Sequence, residues 1–250
     1  MRKTSCWALF ICIFLIFFLV ISTFNVKSTT LMDSEISSII YVGGDGPNNY
    51  SRIQNAIDNA SNGSIIFVFK GIYYEKILID REICLIGESR NSTVINGNGT
   101  KDIISIISND VSISNFTIIN GHFGIVSYNS SNLIIRDNNI FNNLHGISIH
   151  DGSSLILIFG NNFSDNVYSI RLYSCSRIRV HFNNFDSYKI HAYFNSNSIV
   201  QRKYSWNFNY WDSSRILPYP IYGKFKFNNI LLPMVNFDWR PLIKPYTHNY

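Results

Sequence analysis

The chain has 250 residues, 46% hydrophobic and 15% aromatic but only 15% charged, where ordinary globular domains carry about a quarter charged residues. That balance excludes a charge-rich disordered tail, which would lack branched apolar residues, and the length allows one or two domains with a sizeable core. The formal charge of +5 includes Arg2, Lys3 and Lys27; removing those three leaves +2, which gives no reason to expect nucleic acid as a partner.

Arg2 and Lys3 precede an apolar run from Cys6 to Phe24, the order of an export signal. The run just reaches the roughly 18 residues that span a bilayer, and no clean small-x-small cleavage site follows. Residues 1–27 therefore read either as a signal peptide or as an N-terminal membrane anchor, which would make the membrane a partner if the segment is retained. Either way the body is expected outside the cytoplasm, secreted or anchored at the cell surface. Cys84 and Cys175 lie far apart in apolar runs, the placement of buried free thiols rather than of a disulfide framework.

Residues 38–62 open the body. Ile39 to Val42 read as a strand, Gly43 to Pro47 as a turn, and Tyr50, Ile53, Ala56, Ile57 and Ala60 fall at helical spacing. That amphipathic helix suits the cover of a first coil. Short alternating runs follow around Ile72, Ile79, Leu85 and Val94.

From about residue 111 the sequence repeats itself. Asn138-Asn139-Ile140 recurs as Asn161-Asn162-Phe163 and Asn183-Asn184-Phe185, at intervals of 23 and 22. Ile125, Ile147, Ile170 and Tyr193 form a second column at intervals of 22, 23 and 23. Each unit holds period-two alternation broken by Asn, Ser, Gly and Asp, which means half-buried strands and turns. A unit this short cannot bury an apolar face alone and must stack on its neighbours. No helical run or Leu-x-x-Leu-x-Leu signature is present, so the spacing predicts an all-β parallel β-helix over residues 38–205, with about 22–23 residues per coil. Recurring Asn138, Asn161 and Asn183 suit tight corners and a stacked amide ladder. Residues 206–250 lose the period. They are expected to form an irregular C-terminal cap anchored by Trp206, Trp211 and Trp239.

Four stretches carry a family likeness. Ile53-Gln54-x-Ala56-Ile57, Gly71-x-Tyr73-x-Glu75 and Leu85-Ile86-Gly87 resemble the opening of pectin-lyase-like right-handed β-helices, a group that includes pectin methylesterases. Asn209-Tyr210-Trp211 resembles the end of the periplasmic copper-binding β-helix proteins associated with nitrous oxide reductase maturation, and of related archaeal surface proteins. The resemblance implies a right-handed coil and raises two activities, carbohydrate chemistry as a lyase, hydrolase or esterase, and copper handling.

The residues favour neither activity. Asp137, Asp151, Asp165 and Asp186 occupy different places in the repeat, whereas calcium-dependent cleavage needs several oxygen ligands in one patch. His122, His145, His150, His181, His191, Met234 and Cys175 form no His-x-His or Met-rich pair. No catalytic residue, metal site or cofactor is therefore assigned. The column that invites a ligand is Tyr128, His150 and Tyr173, three residues past the inward column and so on the outer face. Coils about 4.8 Å apart would set these rings in a strip suited to sugar rings, and Arg171 beside Tyr173 could hold an acidic sugar. Cross-strand aromatic pairing that merely stabilises the sheet is the competing explanation. The expected protein is thus a non-catalytic surface β-helix that binds a polysaccharide or surface glycan, or acts as an envelope scaffold. Eight Asn-x-Ser/Thr sequons, Asn162 among them, are no more than an Asn- and Ser-rich composition would produce.

Overall fold

The computed structural model describes residues 38–99, 102–186, 189–197, 203–227 and 230–247; the expected export segment lies outside the described residues. Among the described residues no helix is long and apolar enough to cross a membrane.

The chain winds as a parallel β-helix of about seven coils, with three short strands in each. One coil comprises Ser131–Arg136, Asn139–Phe141 and His145–Ile149; the next comprises Ser154–Phe159, Asn162–Ser164 and Tyr168–Tyr173. Each strand pairs in parallel with its counterpart one coil on, so Leu133 meets Ile156, Ile140 meets Phe163 and Ile147 meets Ile170. The middle strands make a seven-stranded sheet. The first and third strands make two stacks that belong to one sixteen-stranded sheet.

Alternation sends every second side chain inward, and the interval of about 23 puts like residues above one another. Ile104, Ile125, Ile147 and Ile170 are fully buried in one column. Its next member is Ala192, and Tyr193 pairs instead with Arg171 on the outer face. The expected place of Tyr193 in the inward column is thus corrected. The interval there is 22 rather than 23, and in a strand a slip of one residue reverses the side chain's face. A second column runs through Ile140, Phe163, Phe185 and Trp211. Its rings stack at 4.9 Å and 4.3 Å, and Tyr219 continues the pile 4.1 Å beyond Trp211. Each buried side chain of this size contributes about 1.5–3 kcal/mol.

The corners repeat as faithfully as the strands. Asp137, Gly160, Phe182 and Phe208 hold left-handed backbone angles, with φ of 58°, 67°, 56° and 58°. Each precedes a fully buried asparagine, namely Asn138, Asn161, Asn183 or Asn209. The backbone N–H of Asn138 donates to Oδ1 of Asn161 (3.1 Å), that of Asn161 to Asn183 (3.0 Å), and that of Asn183 to Asn209 (3.0 Å). The ladder ends on a carboxylate, for Oδ2 of the buried Asp238 accepts from the Asn209 backbone, the Asn209 amide and the Trp211 indole. A parallel ladder joins Asn143 to Asn166 at the next corner, again with left-handed residues, Asn142 and Asp165, just before. Buried corners need partners for their peptide groups, and asparagine supplies an acceptor and a donor at once.

The two ends differ. At the N-terminal end helix Ile53–Asp58 buries Ile53, Ala56 and Ile57. Arg52 gives it no side-chain cap; instead Glu75 of the following coil accepts from the backbone N–H groups of Ile53 (2.9 Å) and Gln54 (3.1 Å). The Gly71-x-Tyr73-x-Glu75 stretch is therefore a fastening device, with the Tyr73 hydroxyl donating to the Phe69 carbonyl.

At the other end the strand Tyr204–Asn207 crosses the expected boundary at 205, and Tyr210–Trp211 adds a further rung. The coil continues because Trp206 and Trp211 still fill inward places. A long antiparallel hairpin, Tyr219–Phe227 with Ile230–Asp238, then closes the end. Its first strand pairs with Ile190–Ser196 and its second reaches Trp206, so one hairpin joins the edges of both stacks. Of the three expected anchors, Trp206 and Trp211 are buried, whereas Trp239 is 65% exposed.

Candidate functional site

The third strands of three successive coils, Phe123–Ser127, His145–Ile149 and Tyr168–Tyr173, carry the outer face that the sequence singled out. Tyr128 stacks on His150 with centroids 4.8 Å apart, and His150 on Tyr173 at 5.0 Å. A second aromatic column runs beside it. Phe123 stacks on His145 at 4.8 Å, and His145 on Tyr168 at 5.1 Å.

Sequence parity conceals this second column. Phe123, His145 and Tyr168 share the parity of the inward Ile125, Ile147 and Ile170, so simple alternation would bury them. The register, however, pairs Phe123 with His145 and Ile125 with Ile147 while leaving Gly124 and Gly146 unpaired between them. The chain kinks there. A Cβ on Gly124 would lie 2.6 Å from the Gly146 carbonyl oxygen, so this close approach requires glycine. The repeated intervals of 22 and 23 among Phe123, His145 and Tyr168 are the signal that could have revealed the column.

Between the columns lie Val126, Ser148 and Arg171, paired in register. Val126 and Ser148 point away from the core yet are fully buried, because the two columns close over them; Phe123 and His150 are 6.0 Å apart edge to face. The result is a plate two rings wide and three coils long. In its last row Arg171 fills the gap, with its guanidinium carbon 4.7 Å from the Tyr168 ring and 4.6 Å from the Tyr173 ring. Among the described residues Arg171 has no ion pair with a carboxylate.

The electrostatics follow from that placement. Burial depresses the His145 pKa to about 4, assisted by the positive charge of Arg171 and by His122 and His150. Nη1 of Arg171 lies 3.1 Å from Nε2 of His145; a guanidinium can only donate, so that nitrogen is unprotonated. His150 is also lowered by burial, with Arg171 acting in the same direction against Asp151, and its Nε2 is 3.0 Å from the Ser148 hydroxyl. The plate is thus an aromatic surface with neutral imidazoles and one fixed cation.

The remaining candidates do not converge. Among the described residues no three His, Cys, Asp or Glu side chains are placed to hold a metal ion. His191 packs at the C-terminal end against Tyr219, 2.7 Å from its hydroxyl, and His181 faces Ser205. Cys175 is a buried free thiol whose pKa burial pushes up to about 12, while Cys84 is only half-buried. Asn162 lies in an outer amide column, donating to Asn139 and accepting from Asn184.

Three comparisons set this geometry among known proteins. A cell surface glycoprotein of Methanothermus fervidus is 38% identical over 96 residues, which are 37% of this chain and 16% of that protein, so the chain spans only a small part of its relative. Pectin methylesterase from carrot superposes with a TM-score of 0.53 at 14% identity, covering 74% of this chain and 65% of that one. Pectin methylesterase from Yersinia enterocolitica gives 0.48 at 16% identity, covering 64% of each. The carrot likeness extends to the fold alone. Residues 48–204 match the family described as the right handed beta helix region, and with most of its length inside that match the chain belongs to the right-handed parallel β-helix family.

Proposed function

We propose that this chain is an exported, surface-located β-helix protein that binds glycan without cleaving it, on the plate formed by Tyr128, His150 and Tyr173 with Phe123, His145 and Tyr168. The observation that carries this reading is the plate itself. Its two columns of rings stack coil on coil with their edges turned outward, Tyr128 being the most exposed, and His150 and Arg171 set polar atoms beside that apolar strip. Aromatic side chains with a polar handle are enriched at recognition sites. Arg171 would direct binding towards sugars that carry a carboxylate, since a guanidinium fork matches that group. Surface location draws support from the likeness to the Methanothermus fervidus cell surface glycoprotein and from the apolar run near the N-terminus.

A glycan array probed with the wild-type chain and with Tyr173→Ala tests the reading. Wild type should retain a subset of glycans, and the variant should bind them about tenfold more weakly, as expected for loss of a stacking ring and its apolar area. Absence of binding by wild type, or equal binding by both, would exclude the plate as a glycan site.

A further inference from the structure

Past Tyr173 the chain turns a corner through residues 174–176, and the surface changes character. A cavity of about 550 Å³ opens there, bordered by the half-buried Ser154, Ser174 and Ser176 together with Arg177 and Lys203. The same two cations line a neighbouring groove of about 500 Å³, where Arg179 joins them beside Leu155 and Leu157. Among the described residues no carboxylate lines either space, although Asp151 adjoins the lining residue Gly152.

The register sets the backbones of these residues side by side. Ile178 pairs with Tyr204 and Arg179 with Ser205, so the backbones of Arg177 and Lys203 lie on adjacent rungs, about 4.8 Å apart. Like charges directly opposite each other in a sheet repel. Among the described residues none of the three cations has an ion pair with a carboxylate. Arg177 is moreover held at φ 55°, in a column of left-handed residues with Asp110, Asn132 and Leu155. Asp and Asn tolerate that conformation, whereas arginine does not favour it. Arg177 thus occupies a left-handed corner position, shared with the uncharged Leu155 one coil earlier, and stands beside a second cation at the cavity mouth.

We propose that this corner binds a tetrahedral oxyanion, the phosphate or sulfate group of an extracellular ligand. A guanidinium fork and an ammonium beside serine hydroxyls form the donor set that such an anion accepts from. The anion would also cancel the repulsion between Arg177 and Lys203. This site is separate from the aromatic plate and stands whether or not the plate binds glycan.

Calorimetric titration of the full chain with inorganic phosphate and inorganic sulfate tests the chemistry. Parallel titrations with a sulfated oligosaccharide and with phosphatidic acid vesicles identify the carrier by which of them binds more tightly. Wild type should bind at least one of these probes saturably, and Arg177→Asn or Lys203→Gln should weaken that binding about tenfold, the usual effect of losing one charge-assisted contact. Asparagine fits the left-handed backbone at position 177, so the Arg177→Asn protein should melt no lower than wild type, which separates loss of the site from loss of the fold. If wild type binds none of the probes saturably, or if both variants bind as wild type does, the oxyanion site is refuted.

Discussion

Replacing Asn161 with alanine tests the mechanics of the corner most directly. Its Oδ1 accepts from the backbone and side-chain nitrogens of Asn138, both at 3.1 Å. Its amide donates to the carbonyls of Ile135 and Phe159 and to Oδ1 of Asn183. Asn161→Ala strands the buried Asn138 N–H and withdraws the donor from the Ile135 carbonyl, in a corner that is fully buried. Each orphaned buried group costs about 1–3 kcal/mol, so the substitution should remove about 3–5 kcal/mol, a large share of the stability of an ordinary domain. Asn162→Ala is the internal control. Its amide also makes two side-chain bonds, but it is half-buried on the outer face, where water can replace them, and the loss should stay below about 1 kcal/mol. Urea unfolding of the two variants measures the difference as a shift in midpoint at constant slope. If Asn161→Ala unfolds at the same urea concentration as Asn162→Ala, burial of the ladder does not set the strength of the corner.

Three further outcomes are expected. Glu75→Ala should destabilise the N-terminal cover by about 1–2 kcal/mol, the usual cost of a lost helix cap, while Glu75→Gln, which retains an acceptor, should lose less; both are read by urea unfolding. Leu155 is half-exposed at φ 57°, and its counterpart one coil earlier is Asn132, also left-handed. Leu155→Asn should therefore raise the melting temperature by a few degrees, corresponding to about 1 kcal/mol of relieved strain. The third concerns pH. His145 has a pKa of about 4 in the folded chain, below the ordinary 6.5, so the unfolded chain takes up the proton first. Its contribution is complete above about pH 6.5, falls as the pH drops towards 4, and is lost below that. His145→Phe should flatten the melting temperature across that interval, and an unchanged slope would show that His145 is not responsible.

The coil was legible in the sequence because it is periodic. Ile125, Ile147 and Ile170 state the register through their spacing alone, and Asn138, Asn161 and Asn183 mark the corner that the structure stacks. Legibility fails where the period or the parity breaks. Tyr193 lies 23 residues after Ile170, but the coil there has 22, so Ala192 takes the inward place. Phe123, His145 and Tyr168 are not legible from parity because the kink at Gly124 and Gly146 reverses the facing that alternation assigns. Asn143 and Asn166 also recur at 23, but without a shared tripeptide to draw the eye. The closing hairpin, Tyr219–Phe227 with Ile230–Asp238, has no counterpart in the repeat, and its antiparallel pairing follows from contacts that no periodicity encodes. Asp238 could not be connected with Asn209 from sequence, since one is the last acceptor of a series in which every earlier member is an amide.

The closing hairpin also governs how such a protein can grow. Both stacks are stitched together at that end, and a helix fastened by Glu75 packs over the core at the other. A duplicated unit is therefore accommodated most simply in the interior. There it would lengthen the amide series by one residue and the aromatic pavement by one row, while leaving the two lids untouched. The length of the outer aromatic face would thus be a quantity set by gene duplication, one turn at a time.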